Sequence, residues 1–144
     1  MATAILATTQ AEWERFSSAA VADQPVLVVH DDPDARAVIR YLLELEGMEV
    51  ETAGNGYQAL ARALYRRPAL VLLDLDIPFF SGEAIARELR ATYGYQLPII
   101  LVSGNDDLAQ TARRIGAAGY VTKPLSRAKV VGAVQRVLTR ALVA

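Results

Sequence analysis

A chain of 144 residues, 53% hydrophobic and 22% charged, suits one soluble domain with a proper core and is neither disordered in composition nor long enough for two domains. Its net charge of −1 offers no basic excess for neutralising the phosphates of a nucleic acid or an anionic membrane. Cysteine is absent and His30 is the only histidine, which excludes disulfide scaffolds, thiolate metal sites, cysteine nucleophiles and multi-histidine zinc centres.

Residues 1–24 read as an N-terminal extension. Thr9 and Glu12 have capping-box spacing, and Trp13, Phe16 and Ala20 share one face of the short helix that would follow. No basic segment precedes the apolar start, and Glu12, Glu14 and Arg15 interrupt it, so the segment is not a secretory signal. No apolar run reaches the roughly 18 residues of a membrane span, and a cytoplasmic location is expected.

From Pro25 onward a short apolar run is followed by a helical pattern five times. The runs are VLVV (26–29), MEVETA (48–53), ALVLLD (69–74), PIILVS (98–103) and GYVTK (119–123). The intervening helical faces are marked in turn by Val38, Ile39 and Leu42, by Ala59 and Ala63, by Ile85 and Leu89, by Leu108, Ala112 and Ile115, and by Val130, Val134 and Val137. Gly47 and Gly116 close the first and fourth, while Ser81 and Gly82 open the third. This alternation predicts an α/β fold with a parallel sheet covered on both faces, a doubly wound (βα)5 arrangement for which the order 2-1-3-4-5 is a common solution. Residues 25–144 form that domain.

Ligands in such sheets bind beyond the carboxyl ends of the strands, so the residue on which each strand ends matters most. The first ends on His30, Asp31 and Asp32. The third ends on Asp74, with Asp76 two residues later; the fourth on Ser103 and Gly104; the fifth on Lys123 and Pro124. In the order 2-1-3-4-5, Asp31 and Asp74 face each other across the switch point. Two carboxylates make a hard oxygen site suited to Mg²⁺ or Mn²⁺. A hydroxyl and a lysine beside it complement an anion with several oxygens, such as a phosphoryl group.

Together the strand-end acids, LVLLDLDIPFFSG, PIILVSGN and GAAGYVTKP resemble the flavodoxin-like receiver domains of two-component response regulators, over about Pro25 to Ala144. The resemblance implies a cytoplasmic signalling domain of a phosphorelay rather than a turnover enzyme. It implies that Asp74 accepts a phosphoryl group from a sensor histidine kinase or phosphotransfer protein, with Ser103 and Lys123 binding that group. It further implies that Asp31, Asp74 and the backbone carbonyl of Asp76 hold Mg²⁺ or Mn²⁺, with His30 as an additional candidate ligand. Tyr120 would be the switch aromatic, and the Lys123–Pro124 bond would be cis. Output is expected through a downstream protein target on the face of the fourth helix, fifth strand and fifth helix, which includes Arg113, Arg114, Tyr120 and Arg127. Neither nucleic acid nor membrane is implied, and a phosphorylation-dependent homodimer is carried as a further partner. The family tunes dephosphorylation through the side chain at Asp76, and Phe79 and Phe80 form an unusual aromatic pair on the loop.

One departure stands out. Pro33 and Arg36 lie at the family's offsets from His30, so His30 replaces the first acid of the acidic pair, and Asp31 is the second. Weakened Mg²⁺ binding is the expectation. The substitution also motivates the alternative of a phosphorylation-independent receiver-fold protein-interaction module with a degenerate metal site. The Asp-x-Asp of DLDIP is shared with haloacid-dehalogenase-type phosphatases, but nothing acidic follows Lys123, where that family needs an acidic pair.

Overall fold

The structure is a computed structural model that describes residues 10–11, 24–78 and 80–143, the last three without their side chains. Trp13, Phe16, Ala20 and Phe79 lie outside the described residues.

Five strands form one parallel sheet in the order β2-β1-β3-β4-β5: β1 Val26–Val29, β2 Val50–Ala53, β3 Leu70–Asp74, β4 Ile99–Ser103 and β5 Gly119–Thr122. Helices α1 Pro33–Glu44, α2 Gly56–Tyr65, α3 Gly82–Tyr93, α4 Leu108–Ile115 and α5 Arg127–Val143 follow the strands in turn. A 3₁₀ turn, Gly94–Gln96, precedes β4.

Alternate strand residues feed two separate cores, as the period of two demands. Val26, Val28, Leu70, Leu72, Ile100, Val102 and Val121 pack with Ile39 and Leu43 of α1 and Val130, Val134 and Val137 of α5. Leu27, Val29, Val71, Leu73, Ile99 and Leu101 pack with Ala59 and Ala63 of α2, Ile85 and Leu89 of α3 and Leu108 and Ala112 of α4. Because both faces are covered, the central strands carry apolar residues at successive positions up to Asp74 and Ser103 at their carboxyl ends, instead of an apolar–polar alternation.

Local signals set where helices begin, and so which side chains reach the strand ends. Asp32 caps α1, its carboxylate accepting the Asp34 N–H at 3.0 Å, with Pro33 preset at the first helical position. Asn55 caps α2 and Ser81 caps α3 in the same way. α4 ends on Gly116, whose φ of 76° is a left-handed cap that glycine adopts without a Cβ penalty. A Cβ at Gly82 would lie 2.7 Å from Leu75 Cα, so α3 seats directly on the turn leaving β3.

Two charged side chains tie elements together. The Arg90 guanidinium donates to the carbonyls of Gly94, Leu97 and Gly116 at 2.9, 2.6 and 2.8 Å and lies over the Tyr95 ring. Glu46, just past α1, accepts from Gln10 Nε2 at 3.1 Å, Arg127 Nη2 at 3.3 Å and Gln135 Nε2 at 3.4 Å. No helix among the described residues is long and apolar enough to cross a membrane.

Candidate functional site

The residues singled out at the strand ends gather at the carboxyl edge of the sheet. β1 and β3 are neighbours, pairing Val29 with Leu73, so His30, Asp31 and Asp74 leave adjacent strands at one level. β4 lies on the other side of β3 and pairs Asp74 with Val102; β5 pairs Thr122 with Ser103, which delivers Lys123. The Lys123–Pro124 bond is cis.

Asp74 is 1% exposed, so its carboxylate depends on partners rather than on water. The Asp76 N–H donates to its Oδ1 at 2.7 Å. Around Oδ2 stand Lys123 Nζ at 2.8 Å and His30 Nε2 at 3.0 Å. Lys123 brings a full positive charge to Oδ2 at salt-bridge range, and the His30 ring nitrogen faces the same oxygen. Burial acts most strongly against ionisation of Asp74, yet the contacts with His30, Lys123 and the Asp76 N–H outweigh it and hold the carboxyl below its ordinary range. Lys123 shows the matching shift. Burial opposes its charge, and the Asp74 and Asp76 carboxylates overcome that and raise its pKa.

His30 is buried, and its surroundings assign its tautomer. The Asp32 N–H donates to Nδ1 at 3.1 Å, so Nδ1 presents its lone pair and Nε2 carries the proton facing Asp74. Arg36 Nη1 donates to the His30 carbonyl at 2.7 Å, tying the end of β1 to the first turn of α1. Asp32 is committed to capping α1. This leaves Asp31, with a side chain 43% exposed, as the acid of β1 that is open to a ligand.

Ligand atoms of His30, Asp31 and Asp74 lie within 4.8 Å of one another. The two carboxylates fit a hard divalent cation such as Mg²⁺. His30 in its assigned tautomer turns an N–H toward the cluster, and ligation through Nε2 requires it to give up the Asp32 contact. Asp76 turns its side chain the other way, accepting the Ser103 hydroxyl at 3.1 Å and the Gly104 N–H at 3.3 Å, with Lys123 Nζ at 3.3 Å. The sequence pointed to the Asp76 backbone carbonyl and to the position of its side chain, but not to the partners that the side chain takes.

Ser103 is fully buried at the end of β4 and also accepts the Asn105 N–H at 3.1 Å. Tyr120 is 47% exposed on the edge strand β5, where the adjacent Val121 turns into the core. Arg114 pairs with Glu83 at 2.9 Å, linking α4 to α3. Phe80 stacks on Tyr57 with ring centroids 5.5 Å apart, which packs the β3–α3 loop against α2. A polar groove of about 380 Å³ opens beside the cluster, lined among others by Asp76, Ser81, Arg87, Ser103 and Thr111.

A doubly wound sheet that gathers an acidic cluster, a hydroxyl and a lysine beyond the carboxyl ends of its strands carries them where open α/β sheets bind their ligands. Residues 26–135 match the model of the response regulator receiver domain, and the chain belongs to that family. It is 36% identical over 119 residues to the DNA-binding response regulator MtrA of Mycolicibacterium smegmatis, covering 81% of this chain and 51% of the relative. It is 36% identical over 118 residues to the phosphate regulon transcriptional regulatory protein PhoB of Pseudomonas aeruginosa, covering 80% and 52%. The chain thus spans about half the length of the curated relatives it matches. Among solved structures, the chemotaxis protein CheY4 of Vibrio cholerae superposes with a TM-score of 0.74 at 29% identity, covering 81% of this chain and 99% of that one. The response regulator TrrA of Thermotoga maritima, in complex with Mg²⁺–BeF, superposes with a TM-score of 0.72 at 30% identity, covering 79% and 98%.

Proposed function

We propose that the chain is a phosphoacceptor of a two-component relay, modified on Asp74 by a sensor histidine kinase or phosphotransfer protein. The observation that carries this reading is the buried Asp74 carboxylate, kept ionised at the end of β3 with Lys123 Nζ at 2.8 Å and Asp31 on the adjoining strand. An Asp74 oxygen forms the new O–P bond as the N–P bond of the phosphohistidine breaks, and the leaving imidazole takes a proton from solvent. Lys123 offsets charge on the transferring group, and the Ser103 hydroxyl donates to one of its oxygens. Asp31, Asp74 and the Asp76 carbonyl would hold Mg²⁺ or Mn²⁺, which supplies charge neutralisation when bound. The relative TrrA, solved with Mg²⁺–BeF, supports a site of this kind on this fold. Output runs through the α4–β5–α5 face, with Tyr120 as the switch aromatic and a downstream protein as the target. Such signalling places the protein in the cytoplasm, as a domain that changes state rather than an enzyme that turns over substrate.

Incubation with acetyl phosphate and millimolar Mg²⁺ tests the reading by intact mass. The wild-type chain gains one phosphoryl group, and Asp74→Asn gains none. Equal labelling of both proteins, or of neither, refutes it.

The His30 contact favours a second reading, since a neutral imidazole facing Asp74 Oδ2 stands where the family carries an acid. On that reading the chain is a protein-interaction module that works without phosphorylation, and the same experiment leaves the wild type unlabelled.

A further inference from the structure

Three donors converge beside Asp74 on a side chain that the proposed phosphotransfer does not use. The two Asp76 carboxylate oxygens accept the Ser103 hydroxyl at 3.1 and 3.3 Å, and Oδ2 also accepts the Gly104 N–H at 3.3 Å and Lys123 Nζ at 3.3 Å. The same ammonium lies 2.8 Å from Asp74 Oδ2, so two carboxylates share one cation. A hydroxyl, a backbone N–H and an ammonium, all fixed by the ends of β4 and β5, form a receptor for an anion with several oxygens. An anion built on Asp74 would find its donors here. The Asp76 side chain is 37% exposed, so packing does not force it into this position; the attraction of the donors accounts for it.

We infer that the Asp76 carboxylate is an internal occupant of this anion cradle, holding Ser103 and Lys123 in their bonded arrangement before any phosphoryl group arrives. The inference rests on the phosphoacceptor reading and deepens it. A phosphoryl group on Asp74 gains these donors only by displacing Asp76, and the change it causes at Ser103 is smaller than in a chain with a neutral residue at this position. The stand-in is partial, because a carboxylate carries one negative charge where a phosphoryl group carries about two. Asp76 is therefore a positioning residue that acts through Ser103 and Lys123.

Asp76→Ala and Asp76→Asn in the full chain test this with two readouts. In ligand-free, metal-free protein the Gly104 amide proton resonance moves upfield in Asp76→Ala as its acceptor is lost. With Mg²⁺ present, Asp76→Ala binds beryllofluoride about tenfold more tightly than wild type, the factor that about 1.4 kcal/mol conveys. Asp76→Asn keeps the shape but not the charge and falls between the two, which a purely structural role does not produce. An unmoved Gly104 resonance, or an affinity equal to or below wild type, overturns the inference. Failure of every protein to bind beryllofluoride removes the phosphoacceptor reading and its displacement step, and the Gly104 shift then decides whether Asp76 fills the cradle.

Discussion

At the scale of single residues, His30 and Asp74 set the character of the site. His30 donates one N–H toward Asp74 and offers no charge to a cation where an acid would add one. His30→Asp is expected to tighten Mg²⁺ binding on the order of tenfold, as one more carboxylate at short range from a dication should. It also lowers metal-free stability by roughly 1–2 kcal/mol, because a second carboxylate then faces Asp74. Calorimetric titration of Mg²⁺ into both proteins checks this, and equal affinities would clear His30 of any part in metal binding. Asp74 has a pH signature of its own. Its folded-state pKa lies below the unfolded value, so its ionised form contributes stability above the unfolded pKa, and this is lost as pH falls through the folded one. Denaturant unfolding without Mg²⁺ should therefore show the stability of wild type relative to Asp74→Asn falling as pH drops below about 4.

At the scale of elements, the site depends on how α3 and α4 are seated. Gly82 lets the first turn of α3 rest against Leu75, the residue after Asp74. Gly82→Ala forces backbone apart there and is expected to cost roughly 1–3 kcal/mol, with a broadened Asp76 amide resonance as its local sign. Arg90 gathers the ends of α3 and α4 and the start of β4 through three carbonyls. Arg90→Lys keeps a charge but not the planar fork, and about 2 kcal/mol of stability should be lost in a urea titration. Neither role could be read from the sequence. A glycine after a serine marks a helix start without telling what the backbone will meet, and an arginine on an amphipathic helix reads as solvated until its three acceptors, up to 26 residues away, are brought beside it.

For the whole molecule, the alternation of apolar runs and helical stretches narrowed the sheet to few orders, because right-handed crossovers and two covered faces leave few arrangements, and 2-1-3-4-5, a common one, is the order found. The same logic placed Asp31, Asp74, Ser103 and Lys123 at one edge, since each lies at or just beyond the carboxyl end of a strand. The direction in which Asp76 turns was not legible: it sits past the strand end, where no periodicity governs a side chain and only the field of the assembled site decides. Nor did the sequence distinguish Asp32 from Asp31 by chemistry; the capping of α1 does that in the fold. One contact reaches beyond the site. Glu46 accepts from Gln10, Arg127 and Gln135 at once, so Gln10 and the first half of the chain's last helix answer to one carboxylate. Removing residues 1–24 should therefore speed amide hydrogen exchange severalfold across Arg127–Val131 while leaving β1 and β3 protected. Local opening of the helix would then answer to an exposed bond, the one from Gln10 to Glu46, at a point far along the chain from the residues it steadies.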